Sequence, residues 1–151
     1  MMTSTTVYYN NIKEVINLRI REAQKNISIA MCYFTNKEII NLLVNKSFSG
    51  VNVELIVDDN ATLKKKIFRY AAELGCKIYV TNKSKIMHHK ICLIDDQTYI
   101  TGSYNFTMNA ENRNKENIVV INNMAQDQLI KVKKELDDLK SYAERELIGV
   151  G

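Results

Sequence analysis

The chain reads as an α/β protein in which a mixed β-sheet is sandwiched by helices. Three observations point there. Apolar periodicity alternates between short runs and three-four spacing through the first half, strand-like runs then cluster between residues 77 and 121, and an amphipathic stretch follows. The order expected is βαβαβαβ, then further strands, then a helix. Its 151 residues, with no proline, linker, internal repeat or low-complexity tract, are read as a single domain, 1–151, large enough to bury its own core.

Residues 5–9 form a weak opening strand. Over 11–25, Ile12, Val15, Ile16, Ile20 and Ala23 share one helical face. Residues 26–34, NISIAMCYF, make a nearly continuous apolar strand. A helix is expected over 36–44 with Asn36 as N-cap, after which Ser49-Gly50 turns the chain into the strand VNVELIVDD. Leu63, Ile67, Tyr70, Ala71 and Leu74 mark a helix over 62–74, stopped by Gly75. Strands follow over 77–81, 90–94, 98–101 and 116–121. The last helix spans 125–147, with Leu129, Val132, Leu136, Leu139 and Ala143 in three-four spacing.

Composition bounds the function classes. The formal net charge of +4 is compatible with a polyanionic partner without requiring one. No apolar run reaches the roughly 18–20 residues needed to span a bilayer, so no membrane association is expected. The opening MMTSTTVYYNN lacks the basic and apolar regions of a signal peptide. Cys32, Cys76 and Cys92 lie in or beside apolar strands without zinc-site spacing, and read as buried free thiols of a reducing compartment. The expected location is the cytoplasm.

The stretch MHHKICLIDDQTYITGSYNF departs from this background, because the strand over 90–94 is led in by His88, His89 and Lys90. Those are the chain's two histidines beside a lysine. Strand alternation places His88 and Lys90 on one face and His89 on the other, where it is expected to be hydrogen-bonded or half-buried. Asp95 ends the strand in the opposite parity, suited to bracing a turn. After a hairpin, Ser103 and Asn105 share a face, and Gly102 permits close backbone approach. A neutral imidazole is a nucleophile near neutral pH. Lys90 supplies a charge, and Ser103 and Asn105 supply donors, for the oxygens of an attacked phosphodiester. This set suffices for phosphoryl transfer without a metal or other cofactor.

The pattern His88-x-Lys90-x4-Asp95-x6-Gly102-Ser103-x-Asn105 resembles the HKD signature of the phospholipase D superfamily. The continuation NFTMNAENRNKENIVVI resembles its small bacterial endonuclease branch, in which a Glu-Asn pair, here Glu116-Asn117, opens the next strand. The resemblance implies that His88 forms a phosphohistidine. Lys90, Asn105 and Ser103 would then bind the scissile phosphate, and Glu116 would orient the histidine. Asp95 and Gly102 belong to the motif as structural members. Such a mechanism needs a general acid for the leaving oxygen, and His89 is turned away. The acid is therefore expected from His88 of a second copy across a two-fold axis, making the protein a homodimer. Single-motif members of the family resemble obligate homodimers of this kind.

Lys83 and Lys85 before the motif, and Arg113 and Lys115 between Asn105 and Glu116, are expected to rim the cleft and hold flanking phosphates. Tyr104 and Phe106 interleave with the motif and are candidates for base stacking, Phe106 equally for the core. The pairs Asp58-Asp59 and Asp95-Asp96 end strands and admit a competing Mg²⁺ reading, but carry no recognisable companion residue and also suit turns. The function expected is a metal-independent endonuclease acting on DNA, and on RNA as a further substrate. The alternatives are a lipid phosphodiesterase, and a nuclease or nucleic-acid-binding subunit of a larger defence or repair assembly.

Overall fold

A computed structural model of the chain describes residues 1–58, 66–81 and 84–147, and for 144–147 their backbone. The first turn of the helix expected over 62–74, Asp59 and Lys83 lie outside the described residues. The elements in order are β1 (Ser4–Tyr8), α1 (Ile12–Glu22), β2 (Asn26–Met31), α2 (Lys37–Phe48), β3 (Asn52–Asp58), α3 (Lys66–Glu73) and β4 (Lys77–Thr81). They continue with β5 (Lys90–Ile94), β6 (Thr98–Gly102), α4 (Met108–Asn112), β7 (Ile118–Asn122), α5 (Gln126–Tyr142) and β8 (Ala143–Leu147).

The described strands form one eight-stranded mixed sheet in the order β1-β7-β6-β5-β2-β3-β4-β8. β2, β3 and β4 are mutually parallel, as their helical crossovers require, and every other pairing is antiparallel. Alternation along each strand divides the apolar side chains between two layers. Ile27, Ile29, Leu55 and Val57 pack with Ile16 and Ile20 of α1, Ile40 and Leu43 of α2, and Phe68 of α3. Ala30, Ile56 and Leu93 face the other way, under Leu129 and Leu136 of α5. The helical sandwich thus follows from strand parity. Asn36 caps α2, its side chain accepting from the N–H groups of Glu38 and Ile39 at 3.0 and 3.2 Å.

Two regions differ from expectation. The last helix ends at Tyr142, and residues 143–147 leave it to pair antiparallel with β4, with a register shift at Val80/Thr81. Helical spacing continues past Tyr142 in the sequence. Without β8, however, β4 would be an open edge, and pairing satisfies that row of backbone groups. A short helix, α4, also precedes β7, its first turn capped by Thr107, whose side chain accepts from Ala110 N–H at 3.1 Å.

Cys32, Cys76 and Cys92 are buried thiols, and burial pushes those of Cys76 and Cys92 up to about 11 and about 12. No described helix is long and apolar enough to cross a membrane.

Asp95 fixes the end of the sheet remote from His88. With Asp96 it occupies the left-handed region in the β5–β6 turn, and its carboxylate accepts from the N–H groups of Gln24, Lys25 and Asn26 at 2.9, 2.7 and 3.0 Å. Burial alone would raise its pKa, but these backbone bonds outweigh it and hold the carboxyl below its ordinary value. A depressed folded-state pKa means stability that is present above the unfolded value, near 3.9, and lost as pH falls through the folded one. Asp95→Asn is therefore expected to be less stable than wild type by about 1–2 kcal/mol at neutral pH. The gap should close as pH drops below about 4. Urea midpoints between neutral pH and strong acid measure this, and a gap independent of pH would refute it.

Candidate active site

The antiparallel register of β5 on its neighbours gathers the motif at the opposite end of the sheet. Met31 at the end of β2 pairs with Lys90, Ile91 pairs with Thr101, and Gly102 pairs with Ile118. The N-terminal approach to β5, the exits from β2 and β6, and the entry to β7 therefore meet. Cys32 N–H donates to the His89 carbonyl at 3.1 Å, extending the β2–β5 ladder one step toward His88.

His88 is exposed at the lip of a cleft of about 700 Å³, which Lys85, His89, Glu135, Asp138 and Tyr142 also line. Its ring meets Tyr33 edge-on, with centroids 6.5 Å apart. His89 lies toward α5, its Nε2 2.9 Å from Glu135 Oε1. Lys90 turns to the α1 side of the sheet, and its Nζ donates to the His88 carbonyl at 3.2 Å. The main chain that carries His88 is thus held from both sides.

Ser103 and Glu116 are joined directly, Ser103 Oγ donating to Glu116 Oε2. The same hydroxyl accepts from Asn117 N–H at 3.1 Å, and Ser103 N–H donates to the Asn117 carbonyl at 3.0 Å. Asn114 Nδ2 donates to the other Glu116 oxygen at 3.1 Å. Gly102 makes this closeness attainable: a Cβ there would lie 2.2 Å from the Asn117 carbonyl oxygen, and its φ is +151°. Asn105 is half-buried, and its Oδ1 accepts from the Cys32 thiol at 3.1 Å. That contact ties the Asn105 side chain to the end of β2.

Not every candidate joins this cluster. Tyr104, expected to face substrate, is 2% exposed, and its hydroxyl donates to Glu111 at 3.4 Å. Burial, reinforced by the Glu111 carboxylate, raises its pKa. β6 ends at Gly102, so strand parity does not govern residue 104, and its ring enters the core instead of the cleft. Phe106 is also buried, edge-on to Phe34 at 5.1 Å. Lys85 lines the cleft, whereas Arg113 and Lys115 are exposed on the segment between α4 and β7.

Sequence reasoning missed Tyr33 and Cys32, which reach the site through a long-range register that no local pattern encodes. It also left Asp58 ambiguous. That carboxylate is buried, accepting from Met87 N–H at 2.8 Å and from Thr81 Oγ1 at 3.3 Å, so it anchors the segment entering His88. Among the described residues no group of His, Cys, Asp or Glu is placed to hold a metal ion. Asp58→Ala strands a buried N–H and is expected to cost about 1–3 kcal/mol. It should also speed amide hydrogen exchange at residues 87–89; unchanged exchange there would show that the anchor does not hold the segment.

Comparison with known proteins places this geometry in a lineage. The chain is 32% identical over 105 residues to a phospholipase D of Rickettsia prowazekii, covering 68% of this chain and 51% of that protein. It is 28% identical over 100 residues to a mitochondrial cardiolipin hydrolase of Chlamydomonas reinhardtii, covering 66% and 45%. The chain therefore spans about half the length of these relatives. The crystal structure of Nuc, a phospholipase D family member from Salmonella typhimurium, superposes with a TM-score of 0.87 at 27% identity, over 98% of this chain and all of that one. Residues 16–139 match the family described as cardiolipin synthase, PLD-like domain, a span that runs from α1 into α5 and contains every strand from β2 to β7. By sequence and fold together, the chain belongs to the phospholipase D-like family.

Proposed function

We propose that the protein is a metal-independent phosphodiesterase that cleaves nucleic acid through a phosphohistidine on His88, in a site shared by two copies of the chain. The carrying observation is an exposed His88 at the lip of a wide cleft, at the sheet end where Lys90, Asn105 and the bonded pair Ser103–Glu116 also lie. In this reading the imidazole attacks phosphorus, a P–N bond forms, and the P–O bond to the leaving group breaks. The leaving oxygen takes a proton from the protonated His88 of the second copy. That imidazole then removes a proton from water, whose oxygen attacks phosphorus and frees the first histidine. Lys90 and the Asn105 amide hydrogens offset charge gathering on the non-bridging oxygens.

Glu116 contacts Ser103 and Asn114. Ser103 gives its one hydroxyl hydrogen to Glu116, so in this reading Glu116 holds Ser103 in place and, as the family resemblance implies, orients a histidine in the assembled dimer. The carboxylates of Asp58 and Asp95 are engaged by backbone N–H groups, which leaves them poorly disposed to bind Mg²⁺. Nucleic acid is favoured as substrate by the resemblance to the endonuclease branch at Glu116-Asn117 and by the end-to-end match with Nuc.

A second reading, lipid phosphodiester cleavage, is favoured by the names of the phospholipase D and cardiolipin hydrolase relatives. Incubating plasmid, single-stranded oligonucleotide and cardiolipin vesicles with the protein in excess EDTA separates them, with a His88→Ala preparation as control for copurifying nuclease. Cleavage of nucleic acid with lipid untouched is expected. Turnover of cardiolipin alone would transfer the assignment to lipid, and activity that requires added Mg²⁺ would reject the phosphohistidine route.

A further inference from the structure

A second cavity, of about 450 Å³, lies against Tyr33. Tyr33 and Asn105 belong to its wall, and Tyr33 is the residue whose ring abuts His88. Thr35, Thr107, Met108, Asn109 and Asn114 complete the lining, and none of the lining residues is charged. The cleft beyond His88 is different in kind, with Lys85, His89, Glu135 and Asp138 along it.

We propose that the neutral cavity is a nucleobase subsite, holding the base of a nucleotide whose phosphate lies at His88. This rests on the nucleic-acid reading above and adds where, and by what groups, the substrate is gripped. A flanking phosphate or a charged headgroup needs cations, and this wall has none. An acyl chain needs a wall free of amides, whereas three asparagines and two threonines interrupt this one. A base is flat and neutral, with donors and acceptors on one edge. The asparagine amides offer both donor and acceptor, and the exposed Tyr33 ring and Met108 thioether offer surfaces for its faces. The volume falls in the roughly 300–1,000 Å³ range of small-molecule sites. Asn114 also donates to Glu116, so a base bonded at Asn114 bears on the same hydrogen-bond chain as Ser103. The surface for bases is therefore built by Tyr33, not by the buried Tyr104.

The test is a set of NMR titrations of the full chain with thymidine 5′-monophosphate, thymidine 3′-monophosphate, methyl phosphate and glycerol 3-phosphate. Wild type is compared with Asn109→Ala and Tyr33→Leu, both at exposed positions. At least one nucleotide is expected to bind about tenfold or more tightly than methyl phosphate, on the scale of base–aromatic stacking. Each variant should shrink that ratio severalfold. Equal affinity for nucleotide and methyl phosphate, equal affinity for glycerol 3-phosphate, or a preference untouched by both variants would overturn the subsite. EDTA-resistant, His88-dependent cleavage by the same preparation would then leave the nuclease reading standing. A wild type that neither cleaves nor binds any of these phosphates overturns both.

Discussion

Gly102→Ala is expected to destabilise the protein by on the order of 3 kcal/mol or more, and to lower activity in whatever fraction remains folded. The added Cβ would stand 2.2 Å from the Asn117 carbonyl oxygen and 2.8 Å from the Ile118 Cα, both backbone atoms at the entry to β7. No side-chain rotation relieves that contact, so β6 and β7 must separate. The displaced carbonyl is the one that accepts from Ser103 N–H, so the separation reaches Ser103 and Glu116 directly. The backbone φ of +151° adds a penalty of its own for any residue with a Cβ.

Gly50→Ala provides the control. There φ is +99°, but nothing lies within 4 Å of the added Cβ, so only the backbone penalty applies, about 1 kcal/mol. Urea midpoints of the two variants, at unchanged m-value, measure the difference. Equal losses would mean that the β6–β7 approach is not tight, and that the geometry at Ser103 does not depend on it.

What was legible in the sequence were features with a local period. Helical stripes such as Ile12, Ile16 and Ile20, and the alternation of β2 and β3, specify which face each side chain takes, and the layers follow. The position of His89 follows from the same alternation, because the β2–β5 ladder continues to its carbonyl. Illegible were features decided by pairing across the chain. Whether Tyr33 stands beside His88 depends on the register of β2 against β5, set jointly by both strands and the Asp95 anchor. Tyr104 was misplaced for a related reason: the period of two ends with the strand, and beyond Gly102 burial among core groups decides. The tail from Ala143 illustrates tertiary override, since its spacing still suits a helix and the open edge of β4 recruits it as a strand.

His88→Ala is expected to reduce phosphodiester cleavage by about 10³-fold or more, since it removes the attacking atom and, in a symmetric pair, the acid as well. His89→Ala should stay within about threefold of wild type, because its exposed side chain contacts Glu135 on α5 and an exposed contact of this kind contributes little. The two residues are chain neighbours of the same type, and both are exposed along the same cleft, so composition and accessibility do not separate them. What separates them is direction. His89 turns to α5 and holds Glu135 at 2.9 Å, while His88 faces Tyr33 at the sheet end that carries Asn105 and Ser103. A metal site or a merely cationic binding surface would respond similarly to either loss. Initial rates on one oligonucleotide in EDTA, with equal urea midpoints showing both variants folded, give the ratio. A thousandfold split assigns the nucleophile to the Tyr33 side of the strand. Equal losses would place the chemistry in the cleft between His88 and α5, with Glu135 and Asp138 as its next candidates.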